Sequence, residues 1–114
     1  MISPDLMQRL LAFRTERDWE QFHNLRTLST SIALEAAELA EFTQWATDSE
    51  IVEIARTRRA EIAHEIADIA ILLSYLSHDL GINLEIAVSE KLQLNGTRYP
   101  VSRAKGTAKK YDQL

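Results

Sequence analysis

The chain has 114 residues, a formal net charge of −4 and no cysteine, and 46% of its residues are hydrophobic. This length fits one domain with a sizeable core, and the lack of cysteine excludes a disulfide framework and a thiolate metal site. The start of the sequence shows no signal-peptide pattern, and no uncharged run approaches the roughly 20 residues that a membrane span requires. We therefore expect a cytoplasmic protein with no membrane partner.

The charge is divided unevenly along the chain. From residue 98 onward a single acid, Asp112, stands against five basic residues: Arg98, Arg103, Lys105, Lys109 and Lys110. The rest of the chain is strongly acidic and poorly suited to a broad nucleic-acid interface, so we expect no nucleic-acid partner. Residues 1–100 form the predicted domain and residues 101–114 a basic tail. The tail either adds positive charge near a phosphate ligand or is a solvated, partly disordered terminus.

The first half of the chain predicts two helices separated by a loop. Ser3, which precedes a proline, predicts the start of a first helix over residues 4–17. The inward positions of this helix are Leu6, Met7, Leu10, Leu11 and Phe13. The stretch DWEQFHNLR, residues 18–26, breaks the apolar pattern and predicts a loop. Thr27 is a candidate cap for a second helix, which should continue to a turn at TDSE, residues 47–50.

The second half predicts two further helices. The third should cover residues 51–80, with a break at 55–59 as an alternative to one continuous helix. Gly81 then closes this helix as a C-terminal glycine. Asn83 is a candidate cap for the fourth helix, which should end within NGTRYP, residues 95–100, because Asn-Gly and proline interrupt helices.

These elements predict an all-α, four-helix bundle-like subunit with the second and third helices at its centre. The third helix is apolar nearly all round between Ile66 and Leu76, so it should lie centrally and also contact a partner subunit. A chain of this size is near the range in which oligomers often complete the core. We therefore expect an oligomer.

Each of the two central helices carries a pair of acids three residues apart. Glu35 and Glu38 lie in LEAAELAE, and Glu65 and Asp68 lie in HEIADIA, in both cases among small or branched apolar residues. Residues three apart share one helix face, and helices joined by a short connection usually pack antiparallel. The two pairs can therefore face one another, although their distances from the connecting turn match only approximately.

Burying unpaired carboxylates is costly, and the sequence offers no lysine or arginine between Arg59 and Lys91 to balance them. A divalent cation would supply the missing positive charge. Hard oxygen ligands without cysteine favour Mg²⁺ or Mn²⁺ over zinc. The ordinary alternative is that these acids are solvated on exposed helix faces, as most glutamates are.

Several stretches distributed over the chain carry a family resemblance. They are RDWEQFH, LEAAELAEFTQW, EIAHEIADIAILLSYL, KLQLNGTRYP and KYDQL, which span the sequence from about Phe13 to its end. Together they resemble the MazG-like all-α nucleoside triphosphate pyrophosphohydrolases, in particular the dCTP pyrophosphatase branch. The acid pairs alone are only moderately specific, and their combination with the tryptophan loop and the Asn-x-x-Arg-Tyr-Pro stretch makes the resemblance strong.

The resemblance implies Mg²⁺-dependent hydrolysis of a (deoxy)nucleoside triphosphate, dCTP or a modified dCTP, to the monophosphate and pyrophosphate. It implies that both acid pairs hold the metal, with Glu35 or Glu38 activating the attacking water. It also implies a base pocket lined by Trp19, Trp45 and Asn95. Further candidates near the sugar or phosphates are His23, Lys91, Arg98 and Tyr99. The implied assembly is a homotetramer, built as a dimer of dimers, with the site near a subunit boundary.

Two positions depart from the family pattern. The dCTP-cleaving relatives commonly carry an aromatic residue four positions after the acid that corresponds to Asp68, whereas this chain has Leu72 there and Tyr75 three residues further on. A histidine often found nine residues before Trp19 is Leu10 in this chain. We therefore expect a preference for deoxycytidine that is looser than in those relatives.

Two other readings of the acids remain. A di-iron carboxylate bundle uses Glu-x-x-His pairs, and the chain contains Glu20-x-x-His23 and Glu61-x-x-His64. Against it, the first pair falls in the predicted loop, and His64 lies about 100° around the helix from Glu65. The other reading is a non-catalytic helical oligomerisation module with vestigial acids.

Overall fold

A computed structural model of the chain describes residues 2–114, and every regular element in this range is helical. The six α-helices are α1 (Pro4–Glu16), α2 (Leu25–Glu41), α3 (Asp48–Thr57), α4 (Arg59–Asp79), α5 (Leu84–Arg98) and α6 (Val101–Ala104). Two 3-10 turns lie at Glu20–Phe22 and Tyr111–Gln113. The predicted all-α fold is confirmed, with six helices where the sequence analysis expected four.

The start of α1 and the loop after it follow the sequence prediction closely. The Ser3 side chain accepts a hydrogen bond from the Leu6 N–H at 3.2 Å and so caps the helix. After α1, Asp18 takes a φ of 55°, a left-handed conformation that aspartate tolerates better than most residues. This residue turns the chain toward the 3-10 turn and the start of α2.

The cap of α2 is Asn24, so the prediction of Thr27 as the cap is wrong by three residues. The Asn24 side chain accepts the Thr27 N–H at 2.9 Å, and the Thr27 hydroxyl accepts the Asn24 N–H at 3.0 Å. This reciprocal pair is a capping box, in which Thr27 occupies the third helical position. The predicted loop is correspondingly shorter.

The turn predicted at residues 47–50 is instead the beginning of α3. The Thr47 hydroxyl accepts the Glu50 N–H at 3.4 Å, and the Glu50 carboxylate accepts the Thr47 N–H at 3.3 Å. This second capping box starts a helix where the sequence suggested only a reversal. The second helix also ends earlier than predicted, at Glu41, because the chain turns before Thr47 to enter α3.

The break within the predicted third helix is confirmed. Arg58, with φ −107° and ψ 23°, separates α3 from α4. At the other end of α4, Gly81 takes a φ of 67°, the left-handed conformation for which glycine is favoured. One long predicted helix is therefore two helices, and its C-terminal glycine lies where the sequence placed it.

The chain divides into two compact units, residues 2–81 and 82–114. In the second unit Asn83 caps α5 as predicted by accepting the Ile86 N–H at 3.0 Å. The helix ends at Arg98, within NGTRYP as predicted, although Asn95 and the following glycine do not interrupt it: the Tyr99 N–H still donates to the Asn95 carbonyl at 2.8 Å. Proline at position 100, which lacks an N–H, then interrupts the helical hydrogen bonding.

Within residues 2–81, α2 and α4 share the most extensive helix contact. The Arg58 guanidinium, at the start of α4, lies over the ring of Phe42, just after the end of α2. Further along α4, Glu65 contacts Glu35 of α2. Residue numbers therefore rise along one helix as they fall along the other, so the two helices are antiparallel, as the sequence analysis assumed.

The first helix runs parallel to α4. The Tyr75 hydroxyl donates to the Leu10 carbonyl at 2.7 Å, and one turn further along both helices Arg14 pairs with Asp79. The partner numbers rise together along the two helices, which fixes their relative direction. Because α4 contacts α1, α2 and α3, its predicted central place is confirmed.

Few apolar side chains are fully buried in the part of the chain that the structure describes. Leu28, 1% exposed, and Tyr75, 4% exposed, are the buried hydrophobic residues of that range. By contrast Leu34 on α2 and Ile66 on α4 are 61% and 54% exposed. Among residues 2–114 no single helix is long and apolar enough to cross a membrane, and α4 and α5 reach that length and apolarity only when counted together.

Candidate active site

Three acids converge between α2 and α4. Carboxylate oxygens of Glu35, Glu38 and Glu65 lie within 4.8 Å of one another, and we refer to these residues as the carboxylate cluster. The helix spacing explains the arrangement, because the first two acids share one face of α2 and that face is turned to α4. Asp68, the fourth predicted ligand, lies outside this group of three, one turn further along α4.

The cluster is electrostatically strained. The pKa of the Glu35 carboxyl is raised to about 7, first by its removal from water, then by a hydrogen bond with Glu65 and by repulsion from Glu38 and Asp68. A protonated Glu35 can donate a hydrogen bond to Glu65, whereas an ionised Glu35 is repelled by the neighbouring carboxylates. The arrangement of these acids therefore disfavours their full ionisation.

The donor set fits a hard divalent cation. Oε2 of Glu65 is buried and has no hydrogen-bond partner within the described residues. A buried acceptor without a donor is costly, and when ionised the other two carboxylates, whose oxygens lie within 4.8 Å, repel it. Clustered carboxylate oxygens are the ligands that Mg²⁺ and Mn²⁺ prefer. The predicted metal ligands are thus brought together in a group of three, with Asp68 adjacent.

On one side of the cluster lies a cavity of about 410 Å³, here called the aromatic cavity. Its lining is Leu10, Phe13, Trp19, His23, Glu35, Asp68, Ile71, Leu72 and Tyr75. Trp19 is held edge-on against Phe13, with ring centroids 5.7 Å apart. The cavity is apolar and aromatic over most of its wall, and the two acids lie in the same wall.

A buried ion pair supports the wall of the aromatic cavity. Arg14, 4% exposed, donates two hydrogen bonds of 2.8 Å to the Asp79 carboxylate, and its guanidinium lies 4.7 Å from the centre of the Tyr75 ring. The pair ties α1 to α4 and holds the Tyr75 ring against the cavity. The pKa of Asp79 is lowered from its ordinary value, chiefly by the hydrogen bonds from Arg14.

The same arginine sets the state of His23. Arg14 Nη1 lies 3.3 Å from His23 Nδ1, and because arginine can only donate, Nδ1 is the acceptor and Nε2 carries the proton. The pKa of His23 is lowered, first by removal from water and then by the positive charge of Arg14. A neutral imidazole with a defined N–H therefore lines the cavity.

On the other side of the cluster lies a second cavity of about 450 Å³, here called the polar cavity. Its lining is Glu38, Glu41, Phe42, Arg58 and Glu65. The cluster therefore separates two cavities of contrasting chemistry, one aromatic and one charged.

The other predicted site residues are spread over the two units. Trp45, in the turn after α2, is 89% exposed and lines neither of these two cavities. Within residues 82–114, Lys91 and Asn95 line one face of α5 together. Arg98 lies over the ring of Tyr111, and Tyr99 packs edge-on against the same ring, so the basic tail is joined to the end of α5.

The glutamates of the two Glu-x-x-His pairs have partners outside the cluster. Glu20 accepts a 2.6 Å hydrogen bond from Thr15, and Glu61 pairs with Arg58. His64 is exposed. The geometry therefore gives the di-iron arrangement no support among residues 2–114.

The comparison with known sequences decides the family. A sequence profile of the MazG-like family matches residues 30–114, which include most of α2, the whole of α4 and all three acids of the cluster. The chain belongs to the MazG-like family. The family resemblance predicted from the sequence motifs is confirmed.

Relatives of this MazG-like chain include dCTP pyrophosphatase 1 of Homo sapiens, 37% identical, and of Bos taurus, 39% identical, both over 112 residues or 96% of the chain. The chain spans 66% of the length of these relatives. A solved pyrophosphatase from Archaeoglobus fulgidus is 37% identical, with a TM-score of 0.81 over 84% of this chain and 90% of that one.

Sequence reasoning missed three charged residues beside this MazG-like site: Arg14, Asp79 and Arg58. Arg14 lies four positions after Leu10 on the apolar face of α1, and Asp79 lies four after Tyr75 on α4. A basic residue and an acid on facing apolar stripes were a signal for a buried pair. Arg58 carried no such signal, because its place beside the cluster follows from the helix break.

Proposed function

We propose that this chain is a nucleotide pyrophosphohydrolase. In the proposed reaction a (deoxy)nucleoside triphosphate, dCTP or a modified dCTP, is hydrolysed between its α- and β-phosphates. The water oxygen joins one phosphorus, the bridging oxygen leaves with the other, and the products are a nucleoside monophosphate and pyrophosphate. The observation that carries the proposal is the carboxylate cluster at the boundary between an aromatic and a polar cavity.

We assign Mg²⁺, or Mn²⁺, to Glu35, Glu38 and Glu65, which would hold the ion together with Asp68 as a further ligand. The metal would neutralise phosphate charge and lower the pKa of a water molecule. The fit rests on the orphaned Oε2 of Glu65 and on the mutual repulsion of the acids.

The chain's own groups then have separable roles. Glu35 lies both in the cluster and in the wall of the aromatic cavity, whereas Glu38 lines the polar cavity, so the Glu35 carboxylate borders both the assigned metal and the proposed place of the nucleoside. We therefore favour Glu35 over Glu38 as the group that orients the attacking water and accepts its proton. The apolar wall on the same side excludes bulk water from the reacting end of the nucleotide.

We place the nucleobase in the aromatic cavity. Trp19 offers a flat face there, and the Nε2–H of neutral His23 is a hydrogen-bond donor for a carbonyl or hydroxyl oxygen. Leu10 and Leu72 line the same wall, so these two positions add apolar contact and no hydrogen bond. The preference for cytosine is therefore proposed to be loose, with Trp45, Asn95, Lys91, Arg98 and Tyr99 as further contacts to the nucleotide.

We propose that the protein is cytoplasmic and acts as a homotetramer, a dimer of dimers. Exposed apolar residues on both central helices, such as Leu34 and Ile66, support an association that covers them. The basic tail is proposed to add positive charge near the phosphates.

The direct test is a panel of the four deoxynucleoside triphosphates and the four ribonucleoside triphosphates, assayed for pyrophosphate with Mg²⁺ present. We expect pyrophosphate and the monophosphate in equal amounts, fastest from dCTP but with measurable turnover of other pyrimidines. Release of orthophosphate instead of pyrophosphate would contradict the proposed bond cleavage. No turnover of any substrate would favour the non-catalytic oligomerisation module.

A further inference from the structure

The polar cavity contains a cation that the reaction as described does not use. Its acidic wall is formed by Glu38, Glu41 and Glu65, and within the described residues Arg58 is the one basic side chain that lines it. A cavity with three carboxylates repels a polyanion, so a cation at its edge has a large effect on what can enter. The position of this cation follows from the break between α3 and α4.

Arg58 is held in place from two sides. Its Nε donates to Glu61 Oε2 at 2.9 Å, and one Nη also bonds this oxygen. Its guanidinium carbon lies 4.6 Å from the centre of the Phe42 ring, within the range of a cation–π contact. These two contacts fix the plane of the guanidinium beside the cavity.

The anchoring leaves donors free. A guanidinium has five N–H groups, and the contact with Glu61 occupies the edge formed by Nε and one Nη. The second Nη keeps both of its hydrogens, which can form charge-assisted hydrogen bonds to phosphate oxygens. Glu61 reduces the net charge at this point but leaves these donors available.

We propose that Arg58 binds the β- and γ-phosphates of the substrate and the pyrophosphate product. The proposal rests on the proposed function and adds to it the orientation of the bound nucleotide. The nucleobase lies toward Trp19 in the aromatic cavity, the bond to be cleaved lies over the carboxylate cluster, and the phosphate tail extends along α2 and α4 into the polar cavity.

The different linings of the two cavities support this orientation of the substrate. A nucleoside triphosphate has one aromatic end and one polyanionic end. The cavity on one side of the cluster is largely apolar, whereas the other contains Arg58 together with Glu38 and Glu65, two of the acids to which the metal is assigned. The opposite orientation would place phosphates against Leu72 and Phe13 and leave the base against three carboxylates. Burying a charged phosphate among apolar side chains without donors is strongly unfavourable.

The chain offers a matched control for Arg58. Arg56 forms the same kind of pair three residues apart, with Glu53 at 2.5 Å, and it is also largely exposed. It lies in α3, two residues before Arg58, and does not line the polar cavity. Loss of a surface ion pair and of one positive charge is therefore common to both substitutions. The contact with Phe42 and the proposed phosphate contact belong to Arg58 alone, and Arg58→Gln keeps the side-chain stem beside Phe42.

The experiment is product inhibition by inorganic pyrophosphate and by dCMP, measured with Mg²⁺ for the full-length wild type, Arg58→Ala, Arg58→Gln and Arg56→Ala. Both Arg58 variants should weaken inhibition by pyrophosphate about tenfold to a hundredfold, the usual effect of losing hydrogen bonds to a charged group. Inhibition by dCMP should stay within twofold, because that product does not reach the polar cavity. Arg56→Ala should change neither constant.

Calorimetric binding of pyrophosphate with Mg²⁺ gives a second readout that needs no turnover. If Arg58→Ala does not fold, Arg58→Gln, which keeps the stem beside Phe42, carries the test. Unchanged pyrophosphate affinity in a folded Arg58 variant would overturn the proposal, as would an equal loss for dCMP or an equal effect of Arg56→Ala. A wild type without pyrophosphohydrolase activity would instead refute the proposed function.

Discussion

At the scale of single residues, the acids of the two central helices are the part of the site that the sequence predicted best. Their three-residue spacing and apolar neighbours predicted two facing pairs, and Glu35, Glu38 and Glu65 do converge. The spacing could not predict which three acids lie closest, because that depends on the register between α2 and α4. Asp68 is displaced from the group by one helical turn.

The two tryptophans should contribute unequally to substrate binding. Trp19 lines the aromatic cavity, so Trp19→Ala should raise the KM for all nucleotides by about tenfold to a hundredfold, the range expected for loss of one stacked base. Trp45→Ala provides the comparison, because this side chain is 89% exposed within the subunit. An effect of Trp45→Ala as large as that of Trp19→Ala would indicate that a second subunit brings Trp45 to the nucleotide. No effect of Trp19→Ala would contradict the placement of the base.

The pair of Arg14 and Asp79 should make stability depend on pH in a defined window. The folded protein lowers the pKa of Asp79, so the ion pair contributes fully above the ordinary aspartate pKa of about 3.9 and is lost as pH falls through the lower folded value. Asp79→Asn should therefore reduce the free energy of unfolding at pH 7 by about 2 kcal/mol or more, less than the 3–5 kcal/mol typical of a fully buried pair. The reason for the lower value is that 30% of the Asp79 side chain is exposed.

Urea unfolding of the wild type and Asp79→Asn at pH 7 and at pH 3 measures this difference. The difference in the free energy of unfolding between the wild type and Asp79→Asn should be smaller at pH 3 than at pH 7. Glu16→Gln, which alters an exposed acid at the end of the same helix as Arg14, should cost less than about 0.5 kcal/mol at either pH. If the difference in the free energy of unfolding between the wild type and Asp79→Asn is the same at pH 7 and pH 3, the ionised carboxylate does not stabilise the fold.

At the scale of elements, apolar periodicity predicted which segments are helical, and side-chain caps decided where they begin. Thr27 and residues 47–50 were correctly recognised as cap or turn chemistry but were assigned the wrong positions. In both cases two side chains form a reciprocal capping box, and a single-residue preference does not show which member is the cap. A break at residues 55–59 was one of two alternatives that the sequence left open, and the structure places it at Arg58. That this break puts Arg58 beside the polar cavity follows only from the three-dimensional arrangement.

The capping box at the start of α2 should make a measurable contribution to the free energy of unfolding. Asn24→Ala should reduce the free energy of unfolding by about 1 kcal/mol, because the Thr27 N–H loses its acceptor at the start of the helix that carries Glu35 and Glu38. Asn24→Asp keeps the accepting oxygen and should stay within about 0.5 kcal/mol of the wild type. Equal losses for the two variants in chemical denaturation would mean that the capping box does not stabilise α2.

At the scale of the whole molecule, the sequence predicted an all-α chain with an acidic body and a basic end, and it gave the family from motifs spread over the chain. The predicted central helix is confirmed as α4, which contacts α1, α2 and α3. Whether residues 1–100 form one domain with a separate tail stays a prediction, as does the oligomer. Sequence patterns indicate that exposed apolar surface is covered by another subunit. Which surfaces of the two subunits meet depends on their three-dimensional shape, which the sequence pattern does not contain.

The basic tail allows a test at this scale. If Lys105, Lys109 and Lys110 add positive charge near bound phosphates, truncation after Ser102 should raise the KM for dCTP, and more so at low ionic strength, where charge interactions are less screened. The control is truncation after Gly106, which retains Lys105 and should have a smaller effect. If both truncated proteins have the wild-type KM for dCTP at low salt, the tail has no role in binding.

The carboxylate cluster as a metal-dependent catalytic centre is tested most directly by pyrophosphate release from dCTP over a range of Mg²⁺ concentrations. The proteins to compare are the wild type, Glu65→Gln and Glu41→Gln, of which the last removes an acid that lines the polar cavity outside the cluster. We predict Mg²⁺-dependent turnover for the wild type, a loss of about a hundredfold or more for Glu65→Gln, and a change of only a few-fold for Glu41→Gln. Full activity of Glu65→Gln, or wild-type turnover that is independent of any divalent cation, would contradict this account of the site.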